Sequence, residues 1–497
     1  MSLLPKNAVV IGAGVAGIAT AVRLAVQGFT VTVFEKNAYA GGKLSHFTLG
    51  DYSFDAGPSL FTQPENIEAL FTLAGEPIED YFSYQSQEVA CQYFFDDDTN
   101  ITAYTNTEKF VEELVNKHGE EAGMVGKYLQ KASSMYQYLG EPFLTNSLHK
   151  TSTLTKIPWS NALKTTTASH ITSSMFAYNS KFFKNPKTVQ LFNRYATYNG
   201  SNPYKAPAML TMIAHLEHTQ GTYYPRGGMI SITQALVKLA EKKGVQFVYN
   251  APVQSIIANG GKVQGVVVNN ENIFADVVVS NMDVYFTYQN LLNQPTNAAK
   301  VLKQERSSSA LIFYWGIKRE FAELGLHNIF FTRNYEAEFE HIFSKKQLYP
   351  DPTVYVNITS KCEPGVQAPA GCENWFVMIN APATNTTSWQ QLIPAAREHI
   401  LQKISNRLGV SVADYIEEEE VLTPQGIEAV TSSYMGSLYG TSSNSVLSAF
   451  LRHPNFSKEF QNLYFVGGSV HPGGGIPLCL QSAGIVGNLI AKQYASS

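Results

Sequence analysis

Residues 8–35 read AVVIGAGVAGIATAVRLAVQGFTVTVFE, and few folds accommodate that string. The apolar run from Ala8 to Ile11 predicts a buried parallel strand. Gly12, Gly14 and Gly17 follow in G-x-G-x-x-G spacing. A helical stretch runs from Val15 to Gln27, with Gly28 at its C-terminal boundary. Phe29 to Phe34 alternates as a second strand, and Glu35 ends it. Each part has a mechanical role in a dinucleotide site. Gly12 permits the tight turn, Gly14 lets backbone approach a pyrophosphate, and Gly17 lets helix and strand pack closely. The helix N-terminus turns its free N–H groups and dipole toward the phosphates. Glu35 can accept hydrogen bonds from a ribose diol, and its charge repels a 2′-phosphate. The expected ligand is therefore FAD or NAD rather than NADP.

The chain has 497 residues, enough for two or three subdomains and a large core. With the first glycine at residue 12, no leader peptide is expected ahead of the first strand. No stretch reaches the roughly 18 unbroken apolar residues that a transmembrane helix needs. The net charge of −4 gives no reason to expect a nucleic-acid partner. Cys91, Cys362, Cys372 and Cys479 form no CxxC pair and no ligand spacing, so no metal site is expected, and a reducing compartment is. The 29 Phe and 27 Tyr suggest an interior that holds something large and apolar.

After Glu35 the chain does not enter a second βαβ unit. It makes a glycine-rich detour through Gly41-Gly42-Lys43 and then Asp55-Ala56-Gly57-Pro58-Ser59, as flavoproteins do where backbone presses on the flavin and ribityl chain. At the far end, Leu463 to Val466 predicts a buried strand. Gly467-Gly468 and Gly473-Gly474-Gly475 form close-approach loops, and Leu478 to Ala491 predicts a helix facing them. A helix N-terminus there would favour negative charge on a reduced flavin.

These motifs, with Tyr224-Pro225-Arg226-Gly227-Gly228-Met229 and His471-Pro472-Gly473-Gly474-Gly475-Ile476-Pro477, together resemble the FAD-dependent carotenoid desaturases of the bacterial phytoene desaturase type. The resemblance spans essentially the whole chain. It implies a flavin dehydrogenase that introduces double bonds into long polyenes, with FAD held non-covalently. It implies Glu35 at the adenosine ribose, Gly12, Gly14 and Gly17 around the pyrophosphate, and Val253 at the adenine. Gly468, Gly474 and Ile476 would flank the isoalloxazine, and Ala16, Lys36, Gly42, Lys43, Pro58 and Ser59 complete the expected cofactor set. Cys479 lies in the region where monoamine oxidases attach flavin covalently, but the local pattern differs, so a small core cysteine is expected. Gly467 to Pro472 reads G-G-S-V-H-P rather than the G-A-G-T-H-P of phytoene desaturases. That string and Arg194-Tyr195-Ala196-Thr197-Tyr198 resemble the branch that adds a 3,4 double bond to 1-hydroxylated carotenoids such as hydroxylated γ-carotene. A hydroxylated end group would need a hydrogen-bond partner inside the tunnel. An ordinary phytoene desaturase and a redox-silent carotenoid isomerase stand as alternatives, and the electron acceptor would be a quinone or oxygen.

The expected fold class is α/β. It combines a Rossmann-like FAD-binding domain of the glutathione reductase/amine oxidase type, a mixed-sheet substrate domain and a helical membrane-associated subdomain. The FAD-binding domain is assigned residues 1–80, 225–290 and 415–497, the substrate domain 81–135 and 291–414, and the helical basic subdomain 136–224. Ile230 to Lys243 predicts an amphipathic helix, and Asn259-Gly260-Gly261 a hairpin turn. Ser309 to Ile317, Asn328 to Thr332, Thr353 to Thr359 and Trp375 to Ala381 predict strands of the substrate sheet. Pro394 to Leu408 predicts a helix, and the acidic run Glu417 to Glu420 a solvated helix end.

From Pro142 to Leu216 there is no Asp or Glu, while seven lysines and Arg194 give this stretch +8 and leave −12 to the rest. Ile157, Trp159, Phe176, Phe182 and Phe183 interleave with those charges. Such a surface suits docking on an anionic bilayer, and a protein that is cytoplasmic and peripherally attached to the membrane is expected. Pairing with the acidic remainder of the chain is the alternative. The absence of GxSxG, HExxH and a second nucleotide fingerprint leaves redox chemistry at one flavin. His215, Glu217 and His218 precede the Tyr224–Met229 motif and could serve acid–base chemistry; a structural role on a helix is the alternative. Glu217, His218 and Arg226 are the candidate catalytic residues, with Arg226 expected against the flavin or its phosphates.

Overall fold

In the computed structural model, which describes residues 6–385 and 388–495, the opening unit forms as read. Asn7–Ile11 is a strand buried at four of its five positions, Val15–Val26 is a helix, and Thr30–Phe34 is the second strand. Three more parallel strands complete the sheet, in the order Leu463–Phe465, Val277–Ser280, Asn7–Ile11, Thr30–Phe34, Gln246–Val248. Residues from three distant parts of the chain thus build one layer. Helix Val15–Val26 packs against Ile230–Lys242 and Ile476–Ala495, and Ile18, Val22, Leu236 and Val486 close the core between them. The hairpin Val253–Asn259/Lys262–Val268 turns at Gly260-Gly261, both at positive φ (57° and 74°), as the two-residue turn requires.

The second sheet has seven strands, in the order Ile416–Leu422, Ser309–Ile317, Glu373–Ala381, Val354–Ile358, His327–Phe330, Val89–Phe94, Asn100–Tyr104. Neighbours are antiparallel except His327–Phe330 beside Val89–Phe94. Ser309–Ile317 is buried at every position because its two faces have different covers. Leu311, Phe313, Trp315 and Ile317 face helix Trp389–Leu408 through Ile400 and Ile404. Ala310, Ile312 and Tyr314 face Tyr52, Phe54 and the interior.

Several boundaries differ from expectation. The acidic run is not a helix end. It is the edge strand Ile416–Leu422, with Glu419 opposite Trp315 and bound by Arg397 at 2.8 Å. Four consecutive carboxylates on an edge strand keep other strands from adding there. Residues 416–422 therefore belong with the substrate sheet, not with the FAD-binding domain to which the boundary at 415 assigns them. The helix expected from Pro394 starts at Trp389, because the buried Trp389 side chain anchors an extra turn to the sheet. Helical structure in the central region begins at Thr107–His118, well ahead of residue 136. No helix among the described residues is long and apolar enough to cross a membrane.

Candidate active site

One cavity of about 910 Å³ runs between the two sheets. Its first half is a cradle of backbone. Gly12, Gly14 and Ala16 line it where the first strand turns into helix Val15–Val26, whose first turn carries no side-chain cap and no carboxylate. The N–H groups of Val15 and Ala16 are left for an anion, while Asn281 takes that of Gly17. Glu35, Lys36 and Val253 line one end, Gly42, Lys43, Pro58 and Ser59 the middle, and Gly468, Gly474 and Ile476 the wall beyond. Of the expected cofactor set, only Gly17 lies behind this wall. A Cβ there would sit 2.2 Å from the Gly12 carbonyl oxygen, so it serves close packing. A Cβ on Gly57 would lie 2.0 Å from the Lys43 carbonyl, so the two glycine-rich detours touch backbone to backbone. Glu35 is buried, and its Oε2 accepts from the Ala13 N–H at 2.7 Å and its Oε1 from the Asn37 N–H at 2.9 Å. These bonds orient the carboxylate at the strand end. The shape and the donor set of the cradle fit FAD.

Two polar groups in the cradle had no local signal in the sequence. Asn281 ends the strand Val277–Ser280, accepts from the Gly17 N–H at 3.1 Å and donates to the Val466 carbonyl at 3.2 Å. It clamps the C-terminal ends of neighbouring strands. Asp283 forms a buried ion pair with Arg306, which also reaches Ser437. Lys43 lies beside this pair and donates to the carbonyls of Ser437 and Leu438. Burial lowers the Lys43 ammonium to about 8, against the pull of Asp283. Burial pushes the Cys479 thiol up to about 11, which leaves it a poor nucleophile and agrees with non-covalent cofactor binding.

The second half of the cavity is walled by the seven-stranded sheet through Ile312, Tyr314, Phe376 and Met378, an apolar gallery. A polar cluster interrupts it. Arg194 Nη2 donates to both Glu217 oxygens at 2.9 Å, Tyr195 donates to Oε2 at 2.7 Å, and Tyr198 donates to Oε1. Burial pushes the Glu217 carboxyl up, but the Arg194 guanidinium, with the Tyr195 hydroxyl, outweighs it and holds the group below the usual carboxylate range. From the sheet side come His327 and Tyr355, whose hydroxyl lies 2.8 Å from His327 Nδ1 and 2.8 Å from Ser59 Oγ.

Of the three candidate catalytic residues, Glu217 alone reaches this cavity. His218 lies behind it, stacked on Phe110 at 4.0 Å and held by Tyr195 at 2.6 Å. Burial lowers its imidazole to about 4, so it is a neutral core residue. His215 is also buried outside the cavity wall and packs on Tyr136. Arg226 is a correction to the sequence reading: its side chain is exposed and outside the cavity. The reason is local. Tyr223–Pro225 pairs as a strand with Tyr84–Ser86, and Gly227 and Gly228 then turn the chain into helix Ile230–Lys242.

Residues 15–486 match the model of the flavin-containing amine oxidoreductases. The chain is 51% identical over 490 residues, 99% of its length and 100% of the relative's, to a 1-hydroxycarotenoid 3,4-desaturase of Flavobacterium sp. (strain P99-3). It is 33% identical over 486 residues, 97% of each chain, to a 4,4'-diapolycopene oxygenase of Methylomonas sp. The solved cyclohexylamine oxidase of Brevibacterium oxydans IH-35A superposes with a TM-score of 0.63 at 14% identity, covering 99% of this chain and 100% of that one. Strand order, glycine cradle and matched residues agree: the chain is an FAD-dependent oxidoreductase and belongs to the flavin-containing amine oxidoreductase family.

Proposed function

We propose that the protein desaturates a long-chain carotenoid, introducing the 3,4 double bond into a 1-hydroxylated substrate such as a hydroxylated γ-carotene. The observation that carries this reading is the 51% identity, over 99% of this chain and 100% of the relative, to a protein bearing that name. The cavity supports it, since a nucleotide cradle opens directly into an apolar gallery. Bound FAD supplies the two-electron acceptor for the hydrogen that leaves the substrate. Ile312, Phe376 and Met378 exclude water from the chain being oxidised. Tyr314, Tyr355 and Phe376 contribute aromatic rings that favour positive charge developing on a polyene. A charge spread along a conjugated chain gives up its neighbouring proton readily, so no strong base is needed. Glu217 is saturated with donors and acts by holding Arg194 and Tyr198 in place.

A membrane surface completes the proposal, because such substrates dissolve in bilayers. Lys184 pairs with Glu121, Lys187 pairs with Asp97, and Arg194 is buried with Glu217. Ile157 and Phe183 are buried, at 4% exposure each. Among the described residues of this stretch, Lys150, Lys156, Lys164, Lys181 and Lys205 face outward without a carboxylate partner, together with Trp159 and Phe176. These residues are a smaller patch than the sequence suggests, and they form the proposed lipid contact of a cytoplasmic, peripherally attached enzyme. A quinone or oxygen is the proposed terminal acceptor.

Pigment analysis in cells making defined carotenoids tests the reading. Cells supplying 1-hydroxylated substrates should gain a product with one more conjugated double bond, and cells making only phytoene should stay colourless. Red cells that accumulate lycopene would overturn the subclass.

A further inference from the structure

The polar cluster in the gallery is an expense that an all-hydrocarbon ligand does not require. A buried Arg–Glu pair is seldom a source of stability by itself. The Arg194 and Glu217 side chains are 10% and 2% exposed, and both line the cavity. The Arg194 guanidinium also sits over the rings of Tyr195 and Tyr198, at 4.7 and 5.3 Å. What the cluster offers to a ligand follows from where its protons are.

Tyr198 gives its proton to Glu217, a carboxylate. The proton of Tyr355 is placed by its neighbours. Asn357 Nδ2 donates to the Leu326 carbonyl at 2.9 Å, which fixes its amide orientation. The same nitrogen lies 3.2 Å from His327 Nδ1, so Nδ1 is an acceptor, and Tyr355 donates to it at 2.8 Å. Burial keeps the His327 imidazole neutral, down at about 4, despite Glu217. Ser59 Oγ then donates to Tyr355 at 2.8 Å, so Tyr198 and Tyr355, which both line the cavity, have their own protons committed, and Tyr355 keeps one lone pair beyond the one Ser59 takes. Such a pair suits a ligand that donates an O–H, and is indifferent to one that only accepts.

We infer that Tyr198 and Tyr355 form the receptor for the terminal hydroxyl of the substrate, accepting its O–H on a phenol oxygen. The inference rests on the 1-hydroxycarotenoid reading and names the residues that enforce it. Its place in the cavity fits the chemistry. The carbons to be desaturated lie two and three positions along the chain from the hydroxylated one, so the receptor has to adjoin the cofactor cradle. Ser59, bonded to Tyr355, belongs to the turn whose Gly57 rests on Lys43. Tyr198 also lines a second, smaller cavity, of about 140 Å³, together with Gly474 and Gly475. Anchoring the hydroxyl between the two tyrosines would set the register of the polyene and so the bond that is oxidised.

The test uses purified holoenzyme, wild type and the variants Tyr355→Phe, Tyr198→Phe and the double, with flavin content as the check on folding. Liposomes carry a 1-hydroxylated carotenoid, its 1-methoxy ether or the parent hydrocarbon. The ether keeps the oxygen and loses only the donor. Wild type should prefer the alcohol over both analogues by roughly a hundred-fold or more in kcat/KM, and the double variant should lose about ten-fold or more of that preference. Tyr355→Phe leaves the Arg194–Glu217 pair intact and should move the same ratio in the same direction. Equal use of alcohol and ether by the wild type, or a preference unchanged in the double variant, overturns the receptor while leaving the desaturase reading standing. A wild type that converts none of the three overturns that reading and the receptor with it.

Discussion

Asp55 accepts the backbone N–H of Met229 at 2.8 Å, across 174 positions of chain, and its other oxygen accepts from Ile230 at 3.0 Å. One carboxylate thus joins the Asp55–Ser59 turn to the start of helix Ile230–Lys242, and two separate sequence motifs become one structural unit. The group is buried, and burial pushes its carboxyl up to about 6 even though both N–H groups pull it down.

This has a pH signature. The unfolded carboxyl titrates near 3.8 and the folded one near 6, so the folded state holds the proton more tightly. The stability that Asp55 contributes is full below the lower value and is lost as pH rises through the higher one, by about 3 kcal/mol. Thermal unfolding of wild type and Asp55→Asn should show the wild type losing ground to the variant between about pH 4 and pH 6. A constant difference across that window would place the Asp55 carboxyl at its ordinary value.

Glu35 should govern cofactor retention. Glu35→Ala removes the charged acceptor that holds the Ala13 and Asn37 N–H groups in position for the ribose end of the cradle. A bond to a charged group contributes about 1.5–3 kcal/mol, so FAD should bind roughly ten- to a hundred-fold more weakly. Flavin content after gel filtration, and titration of apoprotein, measure this. The flavin should leave the wild type on acid precipitation, as expected of non-covalent FAD, and Cys479→Ser should retain its flavin.

Glu217→Gln should behave as a packing defect before it behaves as a lost base. It strips the compensating charge from the buried Arg194 guanidinium, and breaking such a pair from one side costs about 3–5 kcal/mol. Removing both charges, in Arg194→Met with Glu217→Leu, should cost less than Glu217→Gln alone. Denaturant midpoints compare them. A Glu217→Gln protein of wild-type stability that has lost turnover would restore Glu217 as the proton acceptor.

Charge on the acid-free segment should set membrane affinity. Reversal of Lys150, Lys156, Lys164 and Lys181 to Glu should abolish most binding to anionic liposomes, each near-surface charge contributing about 1 kcal/mol. Lys184 and Lys187 are left intact because Glu121 and Asp97 hold them. Sedimentation with anionic and neutral vesicles, at low and high salt, reads the effect. Equal binding to both vesicle types would point away from this patch.

The parts of the fold that sequence made legible are those whose causes are local. The strand Asn7–Ile11, the helix from Val15 and the Gly260-Gly261 hairpin follow from periodicity and turn chemistry within a few residues. The cofactor cradle was legible for the same reason, since glycines announce close approach. The polar half of the site was not. Arg194 meets Glu217 because the central helices fold back on one another, and His327 meets Tyr355 only once two strands register. Glu417–Glu420 misled because charge alone does not distinguish an edge strand from a helix end. Arg226 misled because its motif exists for the turn at Gly227-Gly228 and the cap from Asp55, and its side chain is a bystander.

The most direct measurement is anaerobic mixing of the oxidised holoenzyme with a 1-hydroxylated carotenoid in anionic liposomes, following the visible absorption of the flavin and the polyene together. The flavin band should bleach, in step with a red shift of the carotenoid that marks one more conjugated double bond. A substrate that binds and changes with no loss of the flavin band would contradict oxidative desaturation and identify a redox-silent isomerase instead.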